Sequence, residues 1–352
     1  MQRARLPAEW EPQAGVMLTW PHADSDWRDE LAQVEPVFAS IGAAISRHEA
    51  LLSVCQTPEH ARRVGKLLRA AGAYPDRMMF ACAPANDTWA RDHGPLTVVD
   101  GNRAVLHDFV FNGWGGKFDG RLDSEINQAL HRRSTFGNAE LRRHDLVLEG
   151  GAIETDGAGT LLATRSAVIS ATRNPQLDQM AIERLLGETL GFDRFLWLDH
   201  GDIAGDDTDG HIDTLARFAD ADTILYASAP PGDADHAGLA AMTDELRALR
   251  TRAGQPYRLL ELPFPGVHRD EDGRRLPATY ANFLIVNGAV LLPTYAVAED
   301  TRAVAIVRAA FPGREVIAID CRAIIRQNGS LHCLTMQFPS QVELRDSLES
   351  AA

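Results

Sequence analysis

The sequence predicts an α/β protein in which one unit, strand–strand–helix–strand, occurs five times, the fifth copy split between the two ends of the chain. Three observations carry this. Four hairpin-like turns, Asp100-Gly101, Asp156-Gly157, Asp220-Ala221 and Asn287-Gly288, each lie between two apolar runs, as a β-hairpin requires. They recur about every 60 residues, the interval of a repeat architecture, although the copies barely match in sequence. A polar residue, Asp92, Glu149, His211 or Tyr280, stands 7 to 9 residues ahead of each turn. A fold does not need a polar residue at the head of every hairpin. A site built where equivalent strand starts converge does.

The elements follow in order. After Asp100-Gly101 come a strand (Arg103 to Phe111), a polar helix (Ser124 to Arg133) and a strand (Asp145 to Glu149). After Asp156-Gly157 come Thr160 to Thr164, a helix opening at Asn174-Pro175 and running to about Leu190, and Phe195 to Leu198; proline just after asparagine is a helix-start signal. After Asp220 come Thr223 to Ala227, a helix from about Asp235 to Arg252, and Arg258 to Leu262. After Asn287-Gly288 come Ala289 to Pro293, a helix from about Asp300 to Ala310, and Glu315 to Ile319. His332 to Phe338, Val16 to Trp20, a helix from Leu31 to Arg47, and Leu51 to Val54 complete the fifth copy. Joining the ends in this way closes a ring and removes exposed sheet edges. The alternative is an open α/β sheet with ordinary hairpins. With no linker rich in proline, glycine or serine, residues 1–352 read as one domain.

Apolar residues make up 45% of the chain, enough for a core and too many for a disordered protein. The net charge of −14 argues against a nucleic-acid partner and suits a cationic ligand, although an acidic surface also serves solubility. Cys55, Cys82, Cys321 and Cys333 form no C-x-x-C pair, which argues against a zinc ribbon or a thioredoxin-type site. The first ten residues are polar, and no apolar run approaches the ~20 residues that span a bilayer. A reduced, cytoplasmic protein is the expectation. Homo-oligomerisation stays open.

Four segments could carry chemistry. Cys333 follows a turn-forming Asn328-Gly329 and adjoins His332; a thiolate is a strong nucleophile once its pKa is lowered, whereas Cys55 reads as buried packing. Gly205 to Asp213 is the densest polar cluster; in a strand His211 and Asp213 would share a face and suit general acid/base work or metal binding. Asn86 to Pro95 packs Trp89, Arg91 and Asp92 ahead of a strand, which could equally be a capped loop with a surface ion pair. Glu149 stands beside Gly150 and Gly151, which permit close backbone approach. One cysteine, one histidine and the carboxylates Asp92, Glu149 and Asp213, with no phosphate loop and no G-x-S-x-G elbow, suit a planar cation. Carboxylates accept paired N–H bonds from a guanidinium, and the thiolate attacks its central carbon.

The segments Asn86–Pro95, Glu149–Gly151, Gly205–Phe218, Tyr280–Pro293 and Gly329–Gln337 closely resemble the agmatine deiminase family of guanidino-modifying enzymes, the pentein superfamily, and the likeness starts at Leu6-Pro7-Ala8-Glu9-Trp10-Glu11-Pro12. The resemblance implies a five-bladed pseudo-symmetric α/β propeller. It implies Cys333 as nucleophile, His211 as general acid/base, and Asp92, Asp213 and Glu149 at the guanidinium, with no cofactor or metal. The implied reaction is hydrolysis of agmatine to N-carbamoylputrescine and ammonia through a cysteine thiouronium. A tail pocket lined by Trp89 or Trp114 would suit a methylene chain and a terminal ammonium. Bacterial peptidylarginine deiminases share part of the pattern, so peptidylarginine or free arginine is the alternative substrate. Arg91, Arg217, Arg165 and Arg173 are the candidates to hold an α-carboxylate. Two further readings are a metal-dependent hydrolase using His93, His211, Asp92 and Asp213, and a non-catalytic polyamine-binding protein.

Overall fold

The computed structural model describes residues 4–348. Among them one sheet pattern occurs five times: an antiparallel pair followed by a parallel strand. The strands are Leu96–Asp100, Arg103–Val110 and Glu140–Val147 in one sheet, and Glu154–Thr155, Thr160–Thr164 and Arg194–Leu198 in the next. Ala216–Asp220, Thr223–Tyr226 and Arg258–Glu261 form the third; Leu284–Val286, Ala289–Thr294 and Glu315–Asp320 form the fourth. The remaining sheet joins the two ends of the chain. Thr335–Pro339 pairs antiparallel with Gln13–Thr19, whose other edge pairs in parallel with Ala50–Cys55.

A parallel pair needs a crossover, and a helix supplies it each time. In Leu31–Ser46 the apolar residues Val34, Phe38, Ile41 and Ile45 recur at helical spacing and bury in one cluster with Val16, Leu18 and Leu51 of the strands beneath. The equivalent helices are Ile126–Arg132, Gln179–Leu190, His236–Ala248 and Glu299–Ala310. Among the described residues no helix is long and apolar enough to cross a membrane.

The structure departs from the sequence expectation in several places. The terminal sheet has a fourth strand, Met78–Cys82, reached through helix Pro58–Ala70. That helix is capped by Thr57 and buries Ala61, Val64 and Leu68. The strand expected at Asp145 to Glu149 is Glu140–Val147, set by its pairing with Arg103–Val110. The helix expected to open at Asn174-Pro175 opens at Gln179, because the Asp178 carboxylate accepts the Ala181 N–H at 2.9 Å. Asn174 is engaged elsewhere: its amide exchanges two hydrogen bonds with the Val147 main chain, at 2.8 and 3.0 Å. The helix expected to reach Arg252 ends at Ala248, and a small hairpin, His268–Arg269 with Arg275–Leu276, was not anticipated.

The polar residues ahead of the hairpins do not begin strands. Asp92 lies in the helical turn Ala90–His93, Asp213 in Ile212–Thr214, Cys333 in His332–Leu334, and Glu149 immediately precedes Gly150–Ala152. Each turn leads into the first strand of its sheet, and neighbouring turns pack on one another. His211 and Asp213 therefore come together through a 3₁₀ turn, not through the alternation of a strand.

Between the first strands lies a buried group of charges. The Arg217 guanidinium donates to Glu154 at 2.6 Å, to Glu9 at 2.8 Å and to the Phe283 carbonyl at 2.7 Å, and it lies over the Phe283 ring. Arg91 sits 3.8 Å from Glu9. All four charged side chains are buried. Charges out of water are tolerable only when paired. Arg217→Leu strands Glu9 and Glu154, so we expect a loss of about 3–5 kcal/mol of stability, read as a drop in the urea midpoint.

Candidate active site

Glycine decides how closely the turns approach. A Cβ on Gly151 would lie 2.6 Å from His211 Nδ1 and 2.7 Å from Asp92 Oδ1, and the bare Gly151 N–H donates to Asp92 Oδ1 at 3.0 Å. A Cβ on Gly329 would meet the Trp89 ring at 2.1 Å. Larger residues at either position would push the wall and the carboxylate apart.

A cavity of about 180 Å³ opens over Cys333, walled by Trp89, Trp114, Phe118, Asp92 and Gly329, with Asp26, Asp87 and Asp207 also among its lining. The Trp89 and Trp114 rings meet edge to face at 6.4 Å. Trp89 Nε1–H donates to Asp87 at 3.0 Å, and Trp114 Nε1–H donates to Asp92 at 2.9 Å. Lys117 donates to Asp209 and to the Asp207 carbonyl, each at 2.6 Å, which ties the loop carrying Trp114 to the loop before His211.

The sequence candidates Cys333, His211, Glu149, Asp92 and Asp213 converge here. His211 Nδ1 is 3.5 Å from Asp92 and Nε2 is 3.9 Å from Glu149. Burial alone would favour the neutral imidazole, but Asp92, Glu149 and Asp213 overcome it and raise the pKa to about 9. Burial pushes Asp92 up to about 6, even with His211 opposing. Burial also pushes on Glu149, yet His211 and Arg173 hold it below the usual carboxylate range. Arg173 donates through Nε to both Glu149 oxygens, at 2.8 and 2.9 Å, and through Nη1 to Asp209 at 2.7 Å. Burial, then Asp213 and Asp92, keep the Cys333 thiol far above its ordinary pKa. The free protein thus holds Cys333 as a neutral thiol and His211 as a charged imidazolium.

Several predicted roles move. Tyr280 donates to Asp300 at 2.6 Å, away from the cavity. Its place is taken by Asn282, two residues on, which sequence reading passed over. The Asn282 Oδ1 accepts from the His332 N–H at 2.8 Å and the Cys333 N–H at 3.3 Å, which orients Nδ2 toward the Cys333 sulfur at 3.3 Å. The signal was available: residues 280 and 282 have the same parity ahead of the turn. None of the four arginine candidates is free. Arg91 and Arg217 belong to the buried charge group, Arg173 holds Glu149 and Asp209, and Arg165 pairs with Asp199 at 2.7 Å. His93 lies 3.2 Å from the Thr19 hydroxyl, apart from His211. Among the described residues no group of three or more histidine, cysteine or acidic side chains is arranged to hold a metal ion.

A thiol and a carboxylate lining a small cavity, with a charged histidine and two further carboxylates packed against them, are the equipment of a covalent hydrolase acting on a planar cation. The chain matches the profile of the Porphyromonas-type peptidyl-arginine deiminase family over residues 5–339, and it belongs to that family. It is 34% identical to the agmatine deiminase of Stutzerimonas stutzeri, across 95% of each chain. A solved Porphyromonas gingivalis structure described as a candidate arginine deiminase shares 48% identity at a TM-score of 0.91, covering 97% of this chain and 100% of that one. A cysteine-to-serine variant of C. jejuni agmatine deiminase, solved with substrate bound, shares 33% identity at a TM-score of 0.88, covering 96% of each.

His211 carries a pH signature. A histidine whose pKa rises on folding stabilises the fold fully below its unfolded value near 6.5, and that contribution is lost as the pH passes through about 9. Wild-type stability should therefore fall between pH 7 and 10. His211→Asn should be less stable at pH 7 and should lose that part of the slope, as read by denaturant melts at stepped pH.

Proposed function

We propose that the protein hydrolyses agmatine to N-carbamoylputrescine and ammonia. The observation that carries this reading is a cavity with Cys333, Asp92 and the acids Asp87 and Asp207 among its lining, in which the one cation of the described lining, Arg326, is held by Glu30 and Glu271. Agmatine is a guanidinium on a four-carbon chain ending in an ammonium. Asp92, Asp213 and Glu149 receive the guanidinium, the Trp89 and Trp114 faces cover the methylenes, and Asp87 or Asp207 meets the ammonium. The agmatine deiminases among the relatives, one of them with substrate bound, support the same substrate.

The reaction begins with the substrate, because the thiol does not ionise readily alone. A bound guanidinium offsets Asp92 and Asp213 and lowers the pKa of Cys333. The Cys333 proton leaves to solvent, to be regained from the ureido product when the sulfur is released, and the thiolate attacks the guanidinium carbon, forming the S–C bond as the C=N π electrons move onto nitrogen. His211 gives its proton to the departing nitrogen, the C–N bond breaks, and ammonia leaves. His211 then takes a proton from water, whose oxygen attacks the thiouronium carbon; the C–S bond breaks and the ureido product forms. Asn282 steadies the sulfur when it is charged. Holding both reactants in one geometry makes each step nearly unimolecular.

The same reading extends to the architecture. The five sheets are blades of one closed ring, residues 1–352 act as one domain, and the enzyme works in the cytoplasm. Support comes from the sheet shared by both ends of the chain and from the overlay on the relatives. Arginine and peptidylarginine are the competing substrates, favoured by the 48% identity to the P. gingivalis chain. An α-carboxylate would meet Asp87 and Asp207 without a free guanidinium to receive it.

Cys333→Ser should retain less than about a thousandth of wild-type turnover, since the covalent route is lost, whereas Cys55→Ser should stay active. Ammonia release from agmatine, arginine and a C-terminal-arginine peptide, measured side by side, should give the highest kcat/KM for agmatine. Equal or faster turnover of arginine would move the assignment to an arginine deiminase. The preference should shrink as salt rises, because part of it comes from the −14 net charge.

A further inference from the structure

His332 precedes the thiol in sequence but faces away from the substrate cavity. Its Nδ1 lies 2.8 Å from Asp213 Oδ2 and its Nε2 lies 2.8 Å from Glu9 Oε2. The same Glu9 oxygen accepts from Arg217 at 2.8 Å, while its other oxygen accepts from the Ile285 N–H at 2.7 Å. Glu9 and Asp213 are both held below the usual carboxylate range although burial opposes it: Arg217 and His332 act on Glu9, His332 and His211 on Asp213. The ring nitrogen that carries a proton donates to the carboxylate it faces, and the ring bridges Asp213 to Glu9. Burial and the Arg217 and Arg91 guanidiniums outweigh the pull of Glu9 and Asp213 and hold the His332 pKa below its ordinary value.

The consequence falls on Asp213. Its Oδ2 is occupied by His332 and lies 3.7 Å from the Cys333 sulfur, whereas its Oδ1 is buried with no hydrogen-bond partner. An unpaired carboxylate oxygen in a dry site is costly unless a donor arrives. We infer that His332 is a positioning residue, carried by Glu9, that takes one oxygen of Asp213 so that the other points at a guanidinium N–H of the substrate. The inference rests on the reading of Asp213 as a guanidinium clamp. It also gives the N-terminal segment a part in the reaction: Glu9 reaches Asp213 through the His332 ring. The hydrogen bond to Asp213 does a second thing. Asp213 and Asp92 both disfavour the Cys333 thiolate, and the Asp213 oxygen that His332 engages is the one 3.7 Å from the sulfur, so the bond draws its charge away from the thiol.

The test compares His332→Gln, Glu9→Gln, Asp213→Asn and the double variant His332→Gln/Asp213→Asn. Agmatine turnover is measured beside the pH profile of Cys333 alkylation by iodoacetamide, which needs no substrate. In His332→Gln, KM should rise at least ~10-fold with a smaller fall in kcat, the usual scale for groups that orient a site residue. The alkylation midpoint should move up by roughly one pH unit. Glu9→Gln should shift both readouts in the same direction by less. The double variant should be no worse than Asp213→Asn alone, because His332 acts through Asp213. Additive losses, or an unmoved KM and alkylation profile, overturn the inference. If His332→Gln does not fold, Glu9→Gln decides by the same two readouts. Wild-type protein that alkylates at Cys333 but releases ammonia from no guanidino compound overturns the underlying reading instead.

Discussion

The chain depends on matching buried charges. Glu9, Glu154, Asp213, Arg91, Arg217 and His332 come from the N-terminal segment and from the starts of several sheets, and all of them are buried. Each is tolerable only because another sheet supplies its counter-charge. Arg217 alone links three segments, through Glu9, Glu154 and the Phe283 carbonyl. Apolar packing between helices and strands would tolerate small shifts of one sheet against another. Paired charges at 2.6 to 2.8 Å do not. The geometry of the adjoining site inherits that precision.

The same electrostatics explain how a reactive thiol is kept quiet. Carboxylates suited to hold a guanidinium also oppose a thiolate, so the free protein carries a neutral Cys333 and a protonated His211. A cationic ligand reverses the balance by neutralising the acids. On the proposed reading, selectivity and activation come from one set of charges: a neutral molecule of the same shape would neither bind well nor ionise Cys333. The 4% exposure of Cys333 adds to this, because solvent reaches the sulfur only through the walled cavity.

A repeated sheet pattern with short helical turns at equivalent places is well suited to such a site. The turns Ala90–His93, Gly150–Ala152, Ile212–Thr214 and His332–Leu334 pack against their neighbours, so a residue in each faces a shared centre. Different copies can then carry different chemistry, an acid in one, a histidine in another and a thiol in a third, while the strands beneath keep the same register of antiparallel and parallel partners.

Much of this was legible in the sequence. The four turns, the crossover helices and the joining of both ends in one sheet follow from local rules: hairpin turns, apolar periodicity and helix spacing act over a few residues. Asp92, Glu149 and His211 were legible because each stands 7 to 9 residues ahead of a turn, Asp213 because it lies two residues from His211, and Cys333 because it follows the turn-forming Asn328-Gly329. Other features were decided by tertiary structure. Asn282 was hidden behind Tyr280, since only the packed turn shows which of two same-parity residues reaches the sulfur. Arg173 could have served a ligand carboxylate until the fold placed it on Glu149 and Asp209. Glu9 and His332 give no local sign of meeting, being more than 300 residues apart in the chain. Their pairing depends on how the sheets enclose the buried charges, and charge pairing across a core is a property of three-dimensional proximity that no sequence period encodes.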